Sequence, residues 1–98
     1  MEIVRNQNGN ALTMNVKGRL DTTTAPQLDS ALSNLDGIEN LELDFSELEY
    51  ISSAGLRVLL STQKRMNHQG KMIVSHPNES INDVFNITGF CDILTIVN

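Results

Sequence analysis

Apolar and polar residues alternate at Leu12, Met14 and Val16 against Thr13, Asn15 and Lys17. A period of two marks a strand with one buried face. Upstream, Glu2 to Asn6 is a short strand candidate. Asn8-Gly9 between the two is a hairpin signal, because a type I′ turn needs positive φ at both central residues. Leu41, Leu43 and Phe45 repeat the period in a third strand, with Ile38 at its approach. Lys71 to Ser75 reads as a fourth strand and Ile93 to Val97 as a fifth. Between them the spacing turns helical. Leu28, Ala31, Leu32 and Leu35 share one helical face, with Pro26 suited to its first turn and Gly37 to its stop. Leu56, Leu59, Leu60, Gln63 and Met66 line a helix from about Ala54 to His68, ended by Gly70. Pro77 breaks the fourth strand, and Ser80 to Ile87 forms a short helix stopped by Gly89. The stretch Ser46 to Ser53 reads as a loop.

The expected order is ββαβαβαβ, an α/β fold. Strands joined by helices imply a largely parallel sheet, and the opening hairpin makes it mixed. With so few helices, one face of the sheet should carry most of them. The 98 residues suit a single domain. Hydrophobic residues at 40% and charged residues at 19% indicate a globular chain. Aromatic residues are 4% and Trp is absent, so aliphatic side chains must fill the core.

Charge narrows the partners. The formal net charge is -5, which repels phosphate backbones and anionic lipid and fits a protein with a basic patch instead. Cys91 is alone, so there is no internal disulfide, and no CxxC or Cys/His spacing suggests a metal. The first residues lack a signal-peptide pattern, and no apolar run is long enough for a bilayer. The expectation is a cytoplasmic domain that does not insert in membranes.

The chemistry concentrates where a loop enters the second helix. The first N–H groups of a helix lack internal partners, and its dipole is positive there. A phosphate on Ser53 would be accommodated by those donors while adding about -1.5 to -2 charge. The plainer reading is that Ser52 or Ser53 is simply an N-cap. Gly55 would permit close backbone approach. Arg57 and Arg65 could meet a partner from the exposed side of the helix, or could simply be solvated. A hydrolase is excluded on pattern: the nucleophile elbow needs a glycine two residues before the serine, and Ile51 precedes Ser52. His68 lies about 20 Å from Ser53 at 1.5 Å per helical residue, and nothing in the sequence holds His76. No Gly-rich phosphate loop occurs. No catalytic residue, cofactor or metal is expected.

Two motifs carry a family likeness. Asp44-Phe45-Ser46-Glu47-Leu48-Glu49-Tyr50-Ile51-Ser52-Ser53-Ala54-Gly55-Leu56-Arg57-Val58-Leu59-Leu60 resembles the signature of the STAS domain, found in anti-sigma factor antagonists and in the tails of sulfate transporters. Gly18-Arg19-Leu20-Asp21-Thr22-Thr23-Thr24-Ala25 is similar to a second loop of that family. Anchored on Gly55-Leu56, the resemblance implies Ser53 as the phosphorylated serine, with Ser52 as the alternative. It implies Asp21, Thr24, Ser52, Ala54, Gly55, Leu56 and Arg57 as the surface for a partner or kinase. It also sets the Asp21 and Asp44 loops near Ser53, to orient the serine or a kinase's Mg²⁺; capping is the competing role for both carboxylates, and for Thr24. Three departures stand out: Ser52 replaces the usual Asp, Ala54 replaces a second Ser or Thr, and the family's C-terminal helix is short or missing. The implied function is an anti-sigma factor antagonist that binds an anti-sigma factor, itself a Ser/Thr protein kinase, until Ser53 is phosphorylated. The alternative is a constitutive STAS subunit of an ABC-type lipid transporter, with no phospho-switch.

Overall fold

The computed structural model describes all 98 residues, Met1–Asn98. The hairpin forms where expected, but not on a type I′ turn at Asn8-Gly9: β1 (Glu2–Asn8) and β2 (Ala11–Leu20) pair antiparallel with Asn8 opposite Ala11, so Gly9 and Asn10 are the central residues, and only Gly9 has positive φ (63°), as a type II′ turn requires. β2 then pairs parallel with β3 (Asn40–Asp44). β3 pairs parallel with β5 (Lys71–Ser75), and β5 with the short β6 (Ile96–Val97). A further strand, β4 (Leu48–Ile51), pairs parallel with the last residues of β2. The sheet order is β1-β2-β3-β5-β6.

The two-residue period decides which face is covered. Leu12, Met14 and Val16 of β2, Leu41 and Leu43 of β3, and Met72 and Val74 of β5 are all buried on one side. That side carries α1 (Ala25–Ala31), α2 (Ser53–Met66) and α3 (Glu79–Thr88), joined in one 23-residue apolar cluster. Each full burial of a Leu or Phe stabilises by about 1.5–3 kcal/mol. Thr13, Asn15, Lys17, Glu42 and Asp44 sit half-buried on the open face. The one-faced α/β layout is therefore as the sequence implies.

Several element bounds differ from expectation, and four of the differences bear on the architecture. The segment read as loop holds β4. A bulge explains why its period was invisible: Gly18 pairs with Leu48 and Arg19 with Tyr50, which leaves Glu49 as an extra residue. The buried positions Leu48 and Ile51 thus fall three apart instead of two. The element order is consequently ββαββαβαβ. The fifth strand shrinks to Ile96–Val97, because Phe90–Asp92 forms a 3-10 turn and buries Leu94 as it closes. α2 ends at Met66, not His68. α1 stops at Ala31, with Leu32 and Leu35 still buried beyond it.

That early stop strands backbone carbonyls, which distant side chains satisfy. Arg5 donates to the Ala31 carbonyl (2.8 Å) and Arg65 to that of Leu32 (2.6 Å). Gln69 donates to the carbonyls of Leu35 and Ile38, both at 2.7 Å. Gly70 closes α2 against β3: a Cβ there would overlap the Glu39 carbonyl.

Candidate functional site

The end of β2 and the end of β4 deliver the two helices side by side. The N–H of Ser52 donates to the Leu20 carbonyl (2.9 Å), so α2 starts where the β2–α1 loop begins. Gly55 lets α2 settle on the sheet. A Cβ there would lie 2.6 Å from Leu20 Cγ and 3.0 Å from Ile51 Cγ1.

The start of α2 is left uncapped. Ser52 holds the N-cap position with extended backbone (φ -103°, ψ 176°), yet its side chain makes no capping bond. Its Oγ is enclosed and has no hydrogen-bond partner. Ser53 is the first helical residue and is exposed. Leu56 is the first residue of α2 whose N–H finds a carbonyl, that of Ser52 at 3.0 Å; those of Ser53, Ala54 and Gly55 have none. No acidic side chain lies in the first turn, whereas Lys64 and Arg65 complement the dipole in the last. Neither serine serves as the plain side-chain cap. The exposed hydroxyl is that of Ser53, and the enclosed one is that of Ser52.

The neighbouring loop is the reverse. Asp21 Oδ1 accepts from the N–H groups of Thr23 (3.0 Å) and Thr24 (3.1 Å) and from the Thr23 hydroxyl (2.7 Å). The Thr23 hydroxyl, then the Thr24 N–H, hold the Asp21 carboxyl below the usual carboxylate range. Thr24 Oγ1 accepts from the Asp21 N–H (2.8 Å) and donates to the Arg19 carbonyl (2.7 Å). Thr24 occupies the N-cap position of α1 without a side-chain cap bond, so the expectation of a simple cap is corrected: its hydroxyl ties the loop to β2. Asp21 organises this loop, and none of its bonds reaches Ser53.

Asp44 does not join the site. Its carboxylate lies on the open face, accepting from Asn15 Nδ2 (2.8 Å) and from the Ser46 N–H (2.9 Å). Asn15 precedes Leu20 by five residues along β2. Partial burial pushes the Asp44 carboxyl up, but the Ser46 N–H, helped by the Ser46 hydroxyl, His76 and Asn15, holds it below the usual range. Its role is the turn after β3.

Between α1 and α2 runs a groove of about 340 Å³, lined by Thr22, Ala25, Pro26 and Asp29 on one side and Ala54, Arg57, Val58 and Ser61 on the other. Arg57 is exposed there. On the flank of the site the Arg19 guanidinium stacks 4.3 Å from the centre of the Tyr50 ring. Two expected contact residues turn inward: Gly55 is buried, and Leu56, only 7% exposed, belongs to the core. Arg65 is a structural staple on Leu32 instead of a free surface cation. Sequence reasoning did not single out Asp29, and it held Tyr50 only as one residue of the signature stretch. Tyr50 was hidden by the bulge, and Asp29 carries only the faint signal of lying on the polar side of the α1 pattern.

The STAS domain pattern matches residues 2–98. The chain belongs to the STAS domain family. This STAS domain is 35% identical over 86 residues to BtrV of Bordetella bronchiseptica, assigned as an anti-sigma factor antagonist; the match covers 85% of this chain and 74% of that protein. It is 29% identical over 84 residues to an anti-sigma-B factor antagonist of Staphylococcus aureus, covering 83% and 78%. Among solved structures it shares the fold of the anti-sigma factor antagonist SpoIIAA. The unphosphorylated form gives a TM-score of 0.78 at 15% identity, over 99% of this chain and 88% of that one. The phosphorylated form of the Bacillus protein gives 0.77 at 16% identity, over 99% and 92%.

Proposed function

We propose that this STAS domain is an anti-sigma factor antagonist, a cytoplasmic protein-binding module without catalytic activity of its own, switched by phosphorylation of Ser53. The observation that carries the reading is the uncapped start of α2: an exposed Ser53 hydroxyl beside three unpartnered N–H groups, with no acidic residue in the first turn. The names of its relatives support the antagonist role. The likeness to both forms of SpoIIAA supports a fold that carries a phosphate without being rebuilt.

In the unmodified state the groove and the bare helix start dock an anti-sigma factor that is also a Ser/Thr kinase. The kinase transfers the γ-phosphoryl of ATP to Ser53 Oγ: the new O–P bond forms, the P–O bond to ADP breaks, and a base of the kinase takes the hydroxyl proton. The enclosed Ser52 hydroxyl is out of reach of such transfer, so Ser53 is preferred over Ser52. Phosphate adds about -1.5 to -2 charge to a dry docking surface, and the free N–H groups hold it there. The fold tolerates the modification and the interface does not.

Calorimetry with the purified anti-sigma kinase tests this, using wild type, Ser53→Ala and the Ser53-phosphorylated protein. We expect wild type and Ser53→Ala to bind alike and phosphorylation to weaken binding at least about tenfold, a loss of roughly 1.4 kcal/mol. Equal affinity of the phosphorylated and unmodified proteins would overturn the switch.

A further inference from the structure

We infer that Arg57 captures the phosphate on Ser53, and that this capture withdraws its guanidinium from the α1–α2 groove. The inference rests on the phosphorylation of Ser53 proposed above and names the residue that reads it out.

Arg57 stands four residues after Ser53 on α2. Side chains at i and i+4 of a helix are neighbours, about 5–6 Å apart at Cβ. Helical side chains also lean back toward the N-terminus, which carries the Arg57 guanidinium toward Ser53. An anion followed four residues later by a cation is the favoured order.

The other arginines are committed. Arg5 and Arg65 each donate to a carbonyl at the end of α1, and Arg19 lies over Tyr50. Arg57 is exposed, makes no hydrogen bond, and is not part of the one ion pair, Lys17–Glu47. Its helical neighbours Ser53, Ala54, Leu60 and Ser61 are all uncharged. Asp29 lines the same groove without forming an ion pair to it. The Asp21 carboxylate is occupied by its own loop, and Glu49 is exposed on β4. A phosphate on Ser53 therefore arrives with one uncommitted guanidinium four residues along the same helix. The planar fork of arginine matches phosphate in a way a lysine ammonium does not.

Two effects then act together. Unmodified, Arg57 projects from the groove wall as a docking cation for an acidic group on the partner. Phosphorylated, the same cation is neutralised within the helix. The partner loses an anchor as well as meeting a new negative charge.

The test uses the full chain with phosphoserine incorporated at position 53 during translation, so it does not depend on any kinase or partner. The second ionisation of the phosphate is followed by ³¹P NMR in wild type, Arg57→Ala, Arg57→Lys and Arg19→Ala backgrounds. We expect the wild-type midpoint to lie below the ordinary value of about 6. It should rise by at least about 0.3 unit in Arg57→Ala, less in Arg57→Lys, and not in Arg19→Ala. The difference should shrink in 1 M salt, where the screening length is about 3 Å. The same midpoint in wild type and Arg57→Ala would overturn the inference, as would a shift caused by Arg19→Ala instead. Either result leaves the phosphorylation of Ser53 standing, because the phosphate is installed independently of any kinase.

Discussion

Two strand-to-helix junctions lie side by side in this STAS domain, and they are finished differently. At the β2–α1 junction the polar groups are tied to one another: the Asp21 carboxylate gathers the Thr23 and Thr24 donors, and the Thr24 hydroxyl bridges Asp21 and Arg19. At the β4–α2 junction the Ser52 hydroxyl is enclosed without a partner, and three N–H groups have none. Buried polar groups are normally satisfied, so an orphan beside a bare helix start asks for an explanation that packing does not supply. The first junction is built for order. The second keeps its donors open to something that arrives.

The comparison can be broken by substitution. The largest effect belongs to Gly55→Ala, which forces a methyl to 2.6 Å from Leu20 Cγ. Overpacking of this kind costs on the order of 1–3 kcal/mol, to be read from urea unfolding midpoints. An unchanged midpoint would show that α2 is not seated by that glycine.

Thr24→Val comes next. It removes a hydroxyl engaged at both ends, and we expect a loss of roughly 1–2 kcal/mol by the same measurement.

Asp21→Asn sharpens the contrast through pH. The folded carboxyl titrates lower than the unfolded one. Its stabilisation is therefore complete above the ordinary carboxylate range and is lost as pH falls through the folded value. The stability of the Asn variant should depend less on pH in that acidic window, and identical pH profiles would remove Asp21 from the account.

The smallest effect is Ser52→Ala. Deleting an unpartnered enclosed hydroxyl should leave stability unchanged or raise it by up to about 1 kcal/mol. A loss as large as that of Thr24→Val would mean that the two junctions are alike after all.

Much of this was legible in the chain. The period of two in β2, β3 and β5 survives because one face of those strands meets helices and the other meets solvent. The α2 pattern survives because Leu56, Leu59, Gln63 and Met66 all reach the core. β4 was not legible, since its bulge at Glu49 destroys the alternation that marks a strand. Ser53 could be placed at a helix start from the motif. That Ser52 would fail to cap could not, because capping depends on where a side chain turns, not on residue type. Arg65 reads in sequence like Arg57, a cation on a helix surface. Only the early end of α1, with its stranded Leu32 carbonyl, separates the one held in place from the one left free.

The measurement that bears most directly on the central claim is intact mass after incubation with ATP, Mg²⁺ and lysate of the organism that encodes the chain. Wild type, Ser53→Ala and Ser52→Ala are compared. The account predicts a single added phosphate, about 80 Da, on wild type and Ser52→Ala and none on Ser53→Ala. Phosphate retained by Ser53→Ala and lost from Ser52→Ala would contradict it, for then the enclosed hydroxyl, and not the exposed one, would be the site.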